Sequence, residues 1–184
     1  MRRQLRLGFV PGLAAATLLA SGCDRPATPA GPKPSFSDGN ASCAAGERFT
    51  GGGRIDPPGE NKTTFGFNVD ARDWCSSGGP IKGQLQTVWH PPHLLIHSLT
   101  IDPSSFSSFD DPEGRGGRCV LFGGTARVKE GNGSWVQEGF GALACDNGEP
   151  GSGPALGPDR YDIELDDGRG SGVVDLTGGN IQAH

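Results

Sequence analysis

The stretch "CVLFGGTARVKEGNGSWVQEGFGALAC", residues 119–145, decides the fold. Its two halves alternate around a Gly-Asn-Gly centre. Val120, Phe122, Ala126 and Val128 fall on one side of an extended chain, and Val136, Phe140, Ala142 and Ala144 on one side of the next. A period of two marks a strand with one buried face. A two-residue Asn132-Gly133 turn would set the apolar face of one strand against the polar face of the other. A three-residue loop, Gly131-Asn132-Gly133, aligns both apolar faces, with Gly133 suited to the left-handed position such loops need. In that register Cys119 lies opposite Cys145.

Cys43 and Cys75 are then left as the second pair. Together with Cys119 and Cys145 they form the even set expected of two disulfides in an oxidising compartment. No C-x-x-C pair and no Cys/His spacing typical of zinc occurs.

The rest of the chain keeps the same habit. "TTFGFNVDA" puts Phe65, Phe67 and Val69 on one face, "PIKGQLQTVW" Ile81, Leu85 and Trp89, and "RYDIELDD" Tyr161, Ile163 and Leu165. Turn signals such as "DPPGEN", "SSGGP", "DDPEGRGG" and "DDGRGSG" separate these runs. After residue 22 the Gly and Pro content leaves no amphipathic helical window of useful length. Short alternating strands with frequent turns predict an all-β sandwich or barrel, here a single antiparallel β-sandwich of about eight short strands.

At the N-terminus, Arg2, Arg3 and Arg6 precede an uncharged apolar run that ends in small residues and Cys23. That order describes a secretory signal. The cysteine directly after "LLASG" resembles a bacterial lipobox, which implies diacylglycerol on the Cys23 thiol and cleavage before it; Ala20 stands where leucine is more usual. Several acyl chains hold far better than one, since each buried methylene contributes about 0.8 kcal/mol. Residues 1–22 thus read as a lipoprotein signal peptide. Residues 23–42, rich in Pro, Ala, Ser and Gly, read as a flexible tether, and 43–184 as the β-sandwich domain. The expected location is extracytoplasmic, lipid-anchored to a bacterial membrane on the periplasmic side or the cell surface.

Charge narrows the partners. Residues 1–22 hold three of the sixteen basic residues and none of the twenty-one acidic ones, so the chain from Cys23 onward carries thirteen against twenty-one, a net −8. Such a surface has no electrostatic footprint for nucleic acid and no polybasic patch for anionic lipid. The membrane is met through lipidated Cys23 alone, and the expected partner is an envelope protein or a glycan.

The ordered segments "TGGGRID", "TTFGFNVDAR", "GGPIKGQLQTVWH", "HSLTID", "DNGEPGSG", "DRYDIELDDG" and "GGNIQAH" resemble the bacterial extracytoplasmic domain family known as post-COAP. The resemblance covers about residues 49–184. It implies a β-rich cell-envelope module, often appended to larger secreted proteins, and no established activity or catalytic residues. The four cysteines and the position behind a lipobox depart from the usual pattern.

Catalytic constellations are missing from the sequence. There is no G-x-S-x-G, H-E-x-x-H or P-loop, and "GGG" at 51–53 precedes a strand rather than opening a helix. Asp110-Asp111 and Asp166-Asp167 are adjacent in turns, where carboxylates cap amides. In "WHPPHLLIHS", residues 89–98, His93 and His97 on one strand would lie about four times 3.3 Å apart, too far to share an ion held at about 2.0–2.1 Å. Pro91-Pro92 is expected to keep His90 and His93 apart, because it cannot form a primed turn. No metal, cofactor or catalytic residue is therefore assigned. Asp146, Asn147, Glu149 and Asp159 offer oxygens to calcium, but without EF-hand spacing the default is a solvated loop. Trp74, Trp89 and Trp135 are read chiefly as core, with a sugar-stacking platform as the alternative. The expected function is a non-catalytic envelope lipoprotein with a structural or protein-interaction module. The alternative is a carbohydrate or small-ligand binding module.

Overall fold

The computed structural model describes residues 42–44, 46–57, 62–148 and 157–184. The signal peptide, Cys23, nearly all of the tether and Glu149 lie outside the described residues. Within them run ten strands: β1 Ser42–Cys43, β2 Arg48–Ile55, β3 Thr63–Asp70, β4 Lys82–Trp89, β5 Leu94–Ile101, β6 Ser107–Asp110, β7 Arg118–Glu130, β8 Val136–Asp146, β9 Arg160–Leu165 and β10 Val174–Ala183. One short helix, α1, spans Arg72–Ser77. The fold is all-β and its ladders are antiparallel, apart from the short parallel pairing of β1 with β6.

The strands form one continuous sheet. From β7 the ladder runs through β5, β4, β3, β2, β10, β9 and β8, and β8 pairs again with β7. Eight strands thus close a ring, so the two walls of a sandwich are here parts of a single barrel. Closure removes the free edges that an open sheet would expose. Long β7 makes it work: Arg118 to Val128 pair with β8 on one side. On the other side its first residues pair with β6 and Gly124 to Glu130 with β5.

The alternation read from sequence places the core. Phe65, Phe67 and Val69 from β3, Val120 and Phe122 from β7, and Tyr161, Ile163 and Leu165 from β9 are buried in the interior. Phe65 stacks on Tyr161 with ring centroids 3.7 Å apart, and Phe67 meets Phe122 at 5.3 Å. The Tyr161 hydroxyl among these rings is not orphaned: Tyr161 Oη and the buried Thr87 Oγ1 are 3.1 Å apart, within hydrogen-bonding distance. Space for these rings comes from β2. A Cβ on Gly51 would stand 2.8 Å from both Phe67 and Ile181, so only glycine lets β2 pass this close to them. An apolar interior and a polar exterior are the reverse of a lipid-facing barrel. Among the described residues no helix is long and apolar enough to cross a membrane.

In the 119–145 hairpin the ladder sets Val128 opposite Val136 and Cys119 opposite Cys145. Cys119 is bonded to Cys145, and Cys43 to Cys75. The register is the expected one but the loop is not: five residues, 131–135, join β7 to β8 in place of the three of Gly131-Asn132-Gly133, and Gly131, at φ 52°, holds the left-handed position rather than Gly133. The Gly133 N–H instead donates to the Glu130 carbonyl at 2.8 Å, which tightens the turn one residue earlier.

One other local feature, α1, was not legible in the sequence. "RDWCSS" forms a single helical turn and a half, ended by Gly78 at φ 71° with its N–H donating to the Trp74 carbonyl. Disulfide Cys43–Cys75 and the contact of Trp74 with Phe106, 6.0 Å between rings, hold it against the barrel.

Candidate functional site

An open concavity lies on the outer face where β4 and β5 diverge. Their ladder runs from Trp89↔Leu94 to Gln86↔His97 and stops. A bulge between Ser98 and Thr100 then keeps β5 with β7, while β4 stays with β3. The amide freed on β4 is met by a side chain: Leu85 N–H donates to Ser98 Oγ at 2.7 Å. The result is an open groove of about 850 Å³ over β3, β4, β5 and β7. That volume lies within the roughly 300–1,000 Å³ of small-ligand sites.

The register shows which outward side chains line it. One row crosses the barrel through Gly52, Gly66, Gln86, His97, Arg127 and Gln137, each directly opposite the next. Asn68 and Gln84 form a parallel row beside it, and the Gln84 N–H donates to Asn68 Oδ1 at 2.8 Å. A Cβ on Gly66 would meet nothing within 4 Å, so the floor is bare backbone below amide side chains.

Trp135 stands just outside the lining, against two of its residues, His97 and Arg127. It is 43% exposed, unlike buried Trp89 and half-buried Trp74, so one of the three indoles is a surface group. The Arg127 guanidinium lies 4.9 Å from its ring centroid and the Lys129 ammonium 6.0 Å. The His97 ring meets it edge-on at 5.4 Å. Burial, and then the charge of Arg127, hold His97 below the usual histidine pKa. Arg54, Arg72, Lys82, Arg115, Arg160 and Arg169 form ion pairs, whereas Arg127 and Lys129, like Arg48, Lys62 and Arg118, form none with a described residue.

The other histidines are arranged differently from expectation. His90 to His93 make the turn from β4 to β5, with a cis Pro91–Pro92 bond of the kind found in type VI turns. Their rings approach to 5.6 Å, edge to face, where the sequence reading kept them apart. His93, at φ 61°, precedes β5 instead of lying in it, so it does not share a strand face with His97. Among the described residues no group of three or more His, Cys, Asp or Glu is placed to hold a metal ion.

The acidic groups considered earlier serve the backbone. Asp146 accepts from the Gly148 and Ala183 amides, and Asp159 from those of Asn147 and Ile181. Asp111 is buried against Arg160, which also meets Glu113. Asp110 and Asp166 stay apart from one another in the fold, Asp110 at the end of β6 and Asp166 after β9. Asp162 has its pKa raised by burial and accepts from Ser171 Oγ at 3.1 Å.

Sequence reading had named Trp135 and His97 but not their neighbours Gln84, Gln86, Arg127 and Lys129. These sit at polar positions of alternating strands, and nothing in the alternation tells which strands become neighbours. No family model, curated protein or solved structure matches this chain.

Proposed function

We propose that the chain is an extracytoplasmic, lipid-anchored and non-catalytic protein whose barrel is a binding module for a polar small ligand or oligosaccharide. The observation that carries the binding reading is the groove itself: a splayed pair of strands, amide side chains on its walls and, against its lining residues His97 and Arg127, an exposed indole. A purely structural module has no need to hold β4 and β5 open. Amides and a ring face suit a polyol, whose hydroxyls take hydrogen bonds while its C–H face stacks.

The anchor rests on the basic, apolar and small-residue run ending in Cys23. Two disulfides in the barrel are compatible with export. The ordered motifs from "TGGGRID" to "GGNIQAH" support placing the domain beside the post-COAP modules of the bacterial envelope. A direct interaction with an envelope protein through the same face is the second outcome of the test below.

The full chain, made in a bacterial host with a fatty-acid analogue, is expected to take label that Cys23→Ala does not. Titration of the purified protein with oligosaccharides is expected to change tryptophan emission in wild type and not in Trp135→Phe. Equal labelling of both forms would end the anchor reading. Silence towards every oligosaccharide, with an envelope protein crosslinked at Gln86 instead, would replace ligand binding by protein interaction.

A further inference from the structure

We infer that the groove takes an anionic oligosaccharide, one whose sugar units carry carboxylates, with Trp135, Arg127 and Lys129 as the anion-recognising end. The inference rests on the binding reading above and adds the charge of the ligand. The chain as a whole is acidic, at −5. Six of its described cations pair with carboxylates; Arg48, Lys62, Arg118, Arg127 and Lys129 do not. Of these five, Arg127 and Lys129 lie side by side on the outer face of β7 and both flank one exposed indole.

The indole explains the arrangement. With its Cζ 4.9 Å from the Trp135 ring centroid, Arg127 meets the indole through a cation–π contact that does not use its N–H donors, which leaves them for the two oxygens of a carboxylate. His97, edge-on to the same indole and kept below its usual pKa, is a neutral hydrogen-bonding group at pH 7. The exposed Leu99 two positions along β5 adds an apolar contact beside it. An anion alone needs neither an indole nor a long groove. A neutral sugar needs no unpaired cations. A ring-bearing anion on a polyol chain uses all of these groups.

The test is calorimetric titration of the full chain, in detergent, with a short oligouronate and with the same oligosaccharide after its carboxyls are reduced to alcohols. The oligouronate is expected to bind at least tenfold more tightly, and its affinity to fall as salt rises. Arg127→Gln and Lys129→Gln are each expected to remove most of that tenfold preference while leaving the melting temperature unchanged. Trp135→Ala is expected to weaken both ligands. Equal affinity for the charged and reduced forms would overturn the anionic assignment and leave the groove reading standing. Binding of neither would overturn both. A preference for the oligouronate that survives in both glutamine variants would also overturn this assignment, because the charge would then be read elsewhere.

Discussion

His97 is held by two opposed demands. Its strand register points it outward, opposite Gln86 and Arg127, yet Trp135 covers its ring. Loss of water disfavours the imidazolium, and the adjacent guanidinium disfavours it further. The neutral ring is therefore the form that suits the fold. Stability from this source is intact above the ordinary value of 6.5 and is lost as pH falls through the lower folded value. An NMR titration should give a His97 midpoint below 6.5, and Arg127→Ala should raise it only partway, because burial is the larger cause. A wild-type midpoint at or above 6.5 would mean that the ring stands free in water and does not face Trp135 and Arg127.

At the scale of elements, the two disulfides do different jobs. Cys119 and Cys145 are wholly buried between β7 and β8, whose ladder continues for eleven pairs. Cys43 and Cys75 are only partly buried, and β1 has two residues paired to β6. Mild reductant followed by alkylation should therefore label Cys43 and Cys75 well before Cys119 and Cys145. Replacing Cys119 and Cys145 together by Ala should cost about 3 kcal/mol on the chain-entropy model, which for this length lowers the melting temperature by roughly 10 °C. The opposite order of labelling would show that β7 and β8 separate more readily than β1 leaves β6.

The whole molecule depends on how the ring closes at β10. Its ladder with β9 has two pairs, Val174↔Tyr161 and Asp175↔Arg160, and beyond them its strand pairing among the described residues is with β2. On the other side the chain supplies side chains in place of a strand. The Asp159 carboxylate takes the Ile181 amide at 2.6 Å, Asp146 takes that of Ala183 at 2.8 Å, and Arg118 donates to the Ala183 carbonyl. Asp159 also holds the Asn147 amide at 2.9 Å, so one carboxylate ties the end of β8 to β10. Asp159→Ala leaves two buried amides unpaired, at about 1–3 kcal/mol each. It should lower stability by about 3 kcal/mol and speed hydrogen exchange at Ile181, with Asp159→Asn intermediate because one acceptor oxygen remains. Unchanged exchange at Ile181 would show that the seam is closed by packing alone.

Alternation by itself was enough to place β3, β4, β7, β8 and β9, their buried faces and the register of the 119–145 hairpin, but not β1, β2, β6 or β10. Each of these depends on residues a few positions apart, and a slip of one would turn Phe122 and Phe140 to water. The left-handed residue in that turn was misassigned, because Gly131 and Gly133 are equally permissive and the Glu130 carbonyl chose between them. The chemistry of Trp135 and His97 was also in view, but not their meeting. His97 and Trp135 are 5.4 Å apart only because β5 and β8 flank β7, an adjacency that period-two patterning does not contain. Ring closure likewise came from tertiary structure. A sandwich and a barrel bury the same alternating residues, and the choice was made by Asp146, Asp159 and Arg118 reaching across the β10 seam. The groove is the last case: it exists because the bulge at Ser98 turns β5 away from β4, and backbone register of that kind is settled by neighbours on both sides of a strand rather than by its own residues.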